Sequence, residues 1–301
     1  MRVAAVDIGT NTALLLIAER GPEGLRPLHE EAEVVRLGEG VDRSRRLSPA
    51  AVERTLTVLA RYGETLRRNA VDRVAAIGTQ ALREVENSDE FLARAAALLG
   101  CPIEVVTGER EAKLSWQAAA SAFPLPAQGR RTVVDIGGGS TEILVGGREV
   151  EALASLPIGA VRLTERHLPG DPPTLDQRAA LTAAIDLALA GAPAASGEII
   201  GIAGTVTTLC ALHLGLADYD PRRVHGHRLH RDEVRAIVDR LGQLTVAERR
   251  LLPGLDPRRA DVIYAGGAIL ARLLERAGAE GVVVSDRGIR WGLAEAIAQG
   301  V

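Results

Sequence analysis

A run of glycines between two carboxylates is the part of the sequence best suited to chemistry. Residues 135–142 read Asp-Ile-Gly-Gly-Gly-Ser-Thr-Glu and follow a short apolar segment that predicts a buried strand. Backbone N–H groups of glycines can approach an anion closely, and a serine hydroxyl adds a donor. The phosphate-binding candidates in this turn are therefore Gly137, Gly138, Gly139 and Ser140. Asp135 is a hard oxygen ligand suited to Mg²⁺, and Glu142 can hold the same ion through water.

A second turn near the start of the chain repeats this pattern. Residues 7–12 also follow an apolar segment, begin with Asp-Ile-Gly and lead into another apolar segment. Thr10 and Asn11 are candidate phosphate contacts, and Asp7 is a third candidate metal ligand. A plain hairpin explains either turn alone, but two unrelated hairpins rarely share a strand, an aspartate and a hydroxyl. The repeat therefore predicts two duplicated lobes.

Two weaker candidates gain weight only beside these turns. Gly204 and Thr205 follow a predicted strand and begin a helix, where the N-terminus can bind phosphate. An ordinary capped strand-to-helix turn is the commoner interpretation. Arg83 follows a strand and can clamp phosphate oxygens. The alternative is a surface ion pair with Glu84 or Glu86.

A glutamate-containing helix start supplies a candidate base. Residues 108–113 read Gly-Glu-Arg-Glu-Ala-Lys after a predicted strand. A carboxylate here can orient and deprotonate a water molecule. Acidic residues also favour helix starts for electrostatic reasons alone, so the segment by itself leaves both interpretations open.

Strands and helices alternate along the chain, which predicts α/β lobes. Beyond the two turns, we expect helices at 48–69, 88–99, 109–123, 176–190, 205–214, 232–241, 258–277 and 289–299, and strands at 73–78, 102–106, 198–203 and 281–285. The turn-rich segment 124–129 predicts a division into domains 1–124 and 125–301, with the last helix able to pack back on the first lobe.

Composition excludes several classes of protein. The net charge is −3 and aromatic residues make up 2%, so broad nucleic-acid binding by charge or stacking is not expected. Two cysteines are too few for a disulfide framework or a zinc site, which favours a reducing cytoplasm. We expect no signal peptide and no membrane association, because the apolar run at 13–18 is far too short to span a bilayer.

Together these motifs resemble the exopolyphosphatase/guanosine pentaphosphate phosphatase family of the sugar kinase–Hsp70–actin superfamily. The resemblance covers nearly the whole chain. It runs in order through residues 7–12, 78–83, 107–112, 135–142, 155–164, 204–206 and 285–292. It implies an α/β fold of two duplicated actin-like (ribonuclease H-like) lobes with an interdomain cleft.

The resemblance also implies roles that spacing cannot give. Glu111 matches the catalytic glutamate that activates water, and Asp135 and Glu142 match acidic residues around a divalent metal. The implied phosphate contacts are the glycine turn of the second lobe together with Thr10, Asn11 and Arg83 of the first lobe. Arg259 resembles a basic position that guides the substrate. Arg110 departs from the family, since a second glutamate often stands there.

We therefore expect Mg²⁺-dependent removal of the terminal phosphoryl group from inorganic polyphosphate. Three alternatives remain open at this stage. The first is the same hydrolysis on guanosine pentaphosphate, and the second is a regulator that binds guanosine tetraphosphate without turnover. The third is a phosphotransferase with a small acceptor. The family often dimerises, so a homodimer is also expected.

Overall fold

The computed structural model of the chain describes residues 1–125 and 129–300, which form two compact α/β units. The first lobe comprises Met1–Ala118 and the C-terminal segment from Ile289, and the second lobe comprises Ala119–Gly288. The expected domain boundary lay at 124/125. Part of that predicted turn-rich segment, 126–128, lies outside the described residues. Every helix in the described part of the chain is too short or too polar to cross a lipid bilayer.

A five-stranded sheet forms the centre of the first lobe. Its strands are β1 (Arg2–Ile8), β2 (Thr12–Gly21), β3 (Gly24–Val34), β4 (Arg73–Gly78) and β5 (Ile103–Val105). Their order is β3-β2-β1-β4-β5, with β1, β2 and β3 antiparallel and β4 and β5 parallel to β1. The central strand β1 is apolar along most of its length because helices cover both faces of the sheet.

The N-terminal part of the first lobe has five helices, and two of their ends show the capping residues that the sequence predicts. These helices are α1 (Val41–Ser44), α2 (Pro49–Arg68), α3 (Gln80–Glu84), α4 (Ser88–Leu99) and α5 (Gly108–Ala122). The predicted start of α2 is confirmed, since Ser48 Oγ accepts a bond from Ala51 N at 3.2 Å and Pro49 occupies the first turn. The predicted end of α4 is also confirmed, because Gly100 adopts a left-handed conformation with φ of 75°.

The second lobe contains a six-stranded sheet. Its strands are β6 (Arg131–Ile136), β7 (Thr141–Gly146), β8 (Val150–Leu156), β9 (Glu198–Ile202), β10 (Arg228–His230) and β11 (Gly281–Val284), in the order β10-β11-β9-β6-β7-β8. The helices of the rest of the chain are α6 (Ala160–His167), α7 (Leu175–Leu189), α8 (Ala203–His213), α9 (Pro221–Val224), α10 (Arg231–Gln243), α11 (Val246–Arg249), α12 (Ile263–Arg276) and α13 (Ile289–Gln299). A 3₁₀ turn, Pro257–Arg259, precedes α12.

The last helix, α13, belongs to the core of the first lobe. Buried residues of α13, among them Ile289 and Leu293, pack in one cluster with Val3 of β1 and with Leu114 and Ala118 of α5. The first-lobe sheet is therefore covered by α5 and α13 on one face and by α2 and α4 on the other. The two compact units divide within α5, between Ala118 and Ala119. Ala118 packs in this first-lobe cluster, whereas Ala119 O accepts a hydrogen bond from the buried Arg131 of the second lobe.

The two sheets confirm the predicted duplication. The second-lobe order β8-β7-β6-β9-β11 repeats the first-lobe order β3-β2-β1-β4-β5, and β10 is an additional antiparallel edge strand. In each lobe the parallel strands end at the same edge of the sheet. Side chains that follow these strand ends are consequently gathered together within their own lobe.

Candidate active site

The first-lobe turn connects β1 to β2 and is held by polar contacts. Gly9 N donates to Thr12 O at 3.0 Å, and the Thr10 hydroxyl donates to Gln80 Oε1 at 3.0 Å in the following strand-to-helix connection. Asn11 is buried, and its Oδ1 has no hydrogen-bond partner among the described residues. A buried polar atom of this kind is the exception in proteins, which makes Asn11 a candidate to contact a ligand.

The segment after β3 fixes the backbone of this turn. Gly38 N donates to Thr10 O at 2.8 Å, and the N–H groups of Val35 and Arg36 both donate to Asn11 O at 2.9 and 3.0 Å. In a trans peptide the C=O and N–H groups point in opposite directions. The carbonyl groups of Thr10 and Asn11 therefore point toward the segment after β3. The N–H groups in the same two peptides, those of Asn11 and Thr12, point away from it.

Arg83 and Glu111 form an ion pair at the same edge of the first lobe. Arg83 lies in α3 after β4, and Glu111 lies in the first turn of α5 after β5. Arg83 Nη1 donates to Glu111 Oε2 at 2.7 Å and to Val106 O at 2.8 Å. Thr107 caps the helix by accepting a bond from Arg110 N at 3.2 Å. The partner of Arg83 is thus Glu111 and not a glutamate of its own segment, and Arg83 fixes the position of the carboxylate.

Two carboxylates face each other in the second lobe. Asp135 in β6 pairs directly with Glu142 in β7, and both side chains are buried. Ser155 of β8 donates its hydroxyl to Glu142 Oε1 at 2.7 Å. The first-lobe equivalent of Asp135 is Asp7, and Asp7 pairs with Leu14. The two lobes therefore differ, because only the second places two carboxylates opposite each other in this strand pair.

These two carboxylates fit the preference of Mg²⁺ for a small number of protein oxygen ligands completed by water and substrate phosphates. Among residues 1–125 and 129–300, no group of three or more His, Cys, Asp or Glu is arranged to hold a metal ion. The donor set thus suits a cation that keeps most of its ligands outside the protein, and not a closed structural site.

The glycine turn of the second lobe is tied to the start of α6 by its carbonyl groups. The bonds are Ala160 N to Gly137 O (3.0 Å), Val161 N to Gly138 O (2.8 Å), Arg162 N to Gly138 O (3.1 Å) and Arg162 Nε to Gly139 O (2.9 Å). Because C=O and N–H oppose each other in a trans peptide, the N–H groups of Gly138, Gly139 and Ser140 are directed away from α6. Three consecutive N–H groups with one orientation form an anion-binding nest.

Gly159 allows α6 to approach the turn this closely. A Cβ atom at Gly159 would lie 2.5 Å from both the carbonyl carbon and the carbonyl oxygen of Gly138. It would lie 2.6 Å from the carbonyl carbon of Gly139. Sequence reasoning did not find Gly159 or Arg162 as site residues. Their only signal was that residues 155–164 belonged to the resemblance, which gave no role for them.

Gly204 and Arg259 are in contact in the second lobe. A Cβ atom at Gly204 would lie 2.1 Å from Arg259 Nη1, so the guanidinium packs directly on the first turn of α8. Burial lowers the pKa of Arg259, and Asp256 opposes this effect. Ala203, just before this glycine, has a φ of 69°, which is uncommon for a residue with a side chain. Strained backbone of this kind is often found at functional sites.

The predicted helix 258–277 is wrong at its start, and the difference positions Arg259. Asp256 Oδ1 accepts a bond from Arg258 N at 2.9 Å and caps a separate 3₁₀ turn, after which α12 begins only at Ile263. In the structure Thr205 is buried beside Gly266 of α12. The start of α8 is therefore packed between Arg259 and the first turns of α12.

The candidate residues thus form one group in each lobe. The first-lobe group is Asp7, Thr10, Asn11, Arg83 and Glu111, at the ends of β1, β4 and β5. The second-lobe group is Asp135, Gly137, Gly138, Gly139, Ser140, Glu142, Gly204, Thr205 and Arg259. Backbone N–H groups, hydroxyls, guanidinium groups and carboxylates able to bind a cation are the set of groups that phosphoryl transfer requires.

Comparison with known proteins gives a consistent result. A sequence model of the Ppx/GppA phosphatase family matches residues 16–299. The chain is 42% identical to exopolyphosphatase 2 of Mycobacterium tuberculosis over 99% of this chain and 98% of that protein. The crystal structure of the Aquifex aeolicus Ppx/GppA family member matches with a TM-score of 0.84 and 34% identity, covering 100% of this chain and 98% of that one. An exopolyphosphatase from Cytophaga hutchinsonii matches with a TM-score of 0.91 and 26% identity, covering 100% and 99%.

Proposed function

Because this chain belongs to the Ppx/GppA phosphatase family, we propose that it is an exopolyphosphatase that hydrolyses the terminal phosphoanhydride bond of inorganic polyphosphate and releases orthophosphate. The observation that carries this proposal is the glycine turn of the second lobe, whose carbonyls bond to α6 so that three N–H groups share one direction. Such groups bind phosphate oxygens through the backbone and place no demand on a base or sugar.

In this proposal the first lobe activates the attacking water. Glu111 accepts the proton of a water molecule and orients it toward the terminal phosphorus. Arg83 holds the Glu111 carboxylate by the 2.7 Å bond and offers its remaining N–H groups to phosphate oxygens. Thr10 and Asn11 add a hydroxyl and an amide at the same sheet edge.

The second lobe stabilises the charge of the transferred group. The N–H groups of Gly138, Gly139 and Ser140 bind its oxygens. Those of Gly204 and Thr205, at the N-terminus of α8, provide a second phosphate site. Arg259 lies against Gly204 and contributes its positive charge there. Charge on the equatorial oxygens of the transition state is the main quantity that such an enzyme must stabilise.

Asp135 and Glu142 in the second lobe would hold a divalent cation, Mg²⁺ in our proposal, and Asp7 is the candidate acidic ligand of the first lobe. When bound, the ion would neutralise phosphate charge and polarise the bond that breaks. Ser155 orients Glu142 for this role through the 2.7 Å hydrogen bond.

Phosphate release by the purified protein tests this function. We expect release from polyphosphates of graded length in the presence of Mg²⁺ and its loss with a chelator. Guanosine pentaphosphate serves as the competing substrate. Preferential hydrolysis of the nucleotide would show that guanosine pentaphosphate, and not polyphosphate, is the substrate. Tight binding of guanosine tetraphosphate without any turnover would show that the protein is a nucleotide-binding regulator and not an enzyme.

Location and assembly are part of the same proposal. We place the protein in the cytoplasm, in keeping with its two free cysteines, Cys101 and Cys210. We also propose a homodimer with no nucleic-acid or membrane partner. The mass of the purified protein in solution, measured by light scattering, tests the assembly.

A further inference from the structure

We propose that each lobe uses an arginine behind its phosphate-binding turn as a positioning residue, Arg162 in the second lobe and Arg54 in the first. Neither residue belongs to the groups that contact substrate in the proposed function, and the inference rests on that function for the role of the turns. The structure supports it by two separate sets of hydrogen bonds, one in each lobe.

Arg162 acts directly on the second-lobe turn. Its own N–H bonds to Gly138 O at 3.1 Å and its Nε bonds to Gly139 O at 2.9 Å, so one residue holds two consecutive carbonyls. The peptide that contains Gly139 O also contains the N–H of Ser140. Losing the Nε bond therefore frees that peptide to rotate, which removes one N–H group from the nest.

The burial of Arg162 makes this bond important. Arg162 lies in α6, the residue is 8% exposed and Gly139 is buried, so solvent has little access to replace the guanidinium at Gly139 O. A hydrogen bond from a charged donor is stronger than one between neutral groups, and leaving its buried acceptor without a partner is costly. The carbonyl would then turn toward solvent on the side where phosphate binds, and an exposed carbonyl repels phosphate.

Arg54 acts on the first-lobe turn through one intervening peptide. From α2 it donates Nε to Val35 O and Nη2 to Arg36 O, the latter at 3.1 Å. The peptide joining these residues carries the Arg36 N–H that bonds to Asn11 O at 3.0 Å. The C=O group of this peptide thus accepts a bond from Arg54, and its N–H group donates a bond to the turn. Arg36 has a φ of 52°, an uncommon conformation that these bonds help to hold.

The two arginines differ in exposure, which predicts different effects. The side chain of Arg54 is 38% exposed and also pairs with Glu39 at 3.3 Å, so solvent can partly replace it. We expect the loss of Arg162 to reduce kcat/KM by about 10-fold or more, in line with the loss of one charged hydrogen bond to a buried acceptor. The loss of Arg54 reduces it by a smaller factor.

Paired substitutions test this inference. Arg162→Met is compared with Arg166→Met, an exposed arginine one turn later on α6, and Arg54→Met with Arg68→Met on α2. The readouts are the melting temperature, kcat and KM for polyphosphate, and the dissociation constant of tripolyphosphate measured by calorimetry. Arg162→Lys keeps the charge and most of the volume but removes the Nε donor, and it replaces Arg162→Met if that variant does not fold.

We expect weaker tripolyphosphate binding and lower kcat/KM in Arg162→Met and Arg162→Lys, with Arg166→Met unchanged. A lower melting temperature with unchanged kcat, KM and tripolyphosphate binding would show a merely structural role and overturn the inference. Full activity in Arg162→Lys would also overturn it, since the Nε donor that bonds to Gly139 O would then be dispensable. If the wild type binds tripolyphosphate without releasing phosphate, the proposed function fails while the comparison of binding still decides this inference.

Discussion

Replacing Glu111 by glutamine isolates the proton-accepting role of this side chain. Glutamine has the same shape, and its amide oxygen can still accept the 2.7 Å bond from Arg83 Nη1, which also remains bonded to Val106 O. The geometry of the pair is therefore preserved while the carboxylate that we propose as the proton acceptor is lost. Exchanging a charged acceptor for a neutral one at this position costs about 1 kcal/mol of stability.

The catalytic effect of Glu111→Gln is expected to be much larger than its effect on stability. A positioned general base contributes about 10²- to 10⁴-fold in rate, which corresponds to about 3–5 kcal/mol of barrier. We expect kcat to fall by a factor in this range and KM to change little, because Arg83 and the glycine turn, the proposed phosphate contacts, are unchanged in the variant. Orthophosphate release from polyphosphate measures both quantities.

Glu109 provides a matched control on the same helix turn. It is exposed and pairs with Lys113 at 2.7 Å, and this hydrogen bond lowers the pKa of Glu109. Glu109→Gln removes the same charge two residues away and should leave kcat unchanged. Wild-type activity in Glu111→Gln would refute our assignment of the base. An equal loss in both variants would attribute the effect to the charge of the helix start instead.

Three further predictions concern the second lobe. Gly204→Ala should displace the Arg259 guanidinium, which lies 2.1 Å from the new Cβ position, and raise KM without unfolding the protein; an unchanged KM would contradict the proposed phosphate contact. Ser155→Ala removes the donor to Glu142 and should raise the Mg²⁺ concentration needed for half-maximal activity by about 10-fold, whereas an unchanged Mg²⁺ titration would argue against Glu142 as a ligand. Burial raises the pKa of Cys210 from 9.0 to about 12, so the folded thiol stays protonated where the unfolded one ionises, and stability should fall as pH rises from about 9 toward 12. In denaturant unfolding at several pH values, the free energy of unfolding should decline less steeply with pH for Cys210→Ala than for the wild type. An identical decline would show that ionisation of Cys210 does not cause the loss of stability.

Local features of the fold were accessible from the sequence. The two Asp-Ile-Gly turns, the Ser48 cap with Pro49 and the Gly100 stop depend on residues within a few positions of each other, and the structure has all of them. Short-range backbone preferences of glycine, proline and serine determine such features, so one sequence suffices to predict them.

Contacts between distant segments were not accessible in this way. Arg162 bonds to Gly139, 23 residues earlier, and Arg259 packs on Gly204. An arginine in an amphipathic helix gives no signal that its side chain will turn inward to a carbonyl. The break before α12 was missed for a related reason, since Asp256 competes with helix formation by capping its own short turn.

The matching turns bear on how the two halves of this chain diverged. Gly9 N to Thr12 O and Gly137 N to Ser140 O are the same bond at the same length of 3.0 Å, although the residues between are Thr-Asn in one half and Gly-Gly in the other. Where a site binds its ligand through main-chain groups, the surrounding side chains can be substituted after a gene duplication without loss of those groups. Comparing backbone hydrogen-bond patterns between the halves of a chain should therefore identify internal repeats whose amino-acid sequences no longer align.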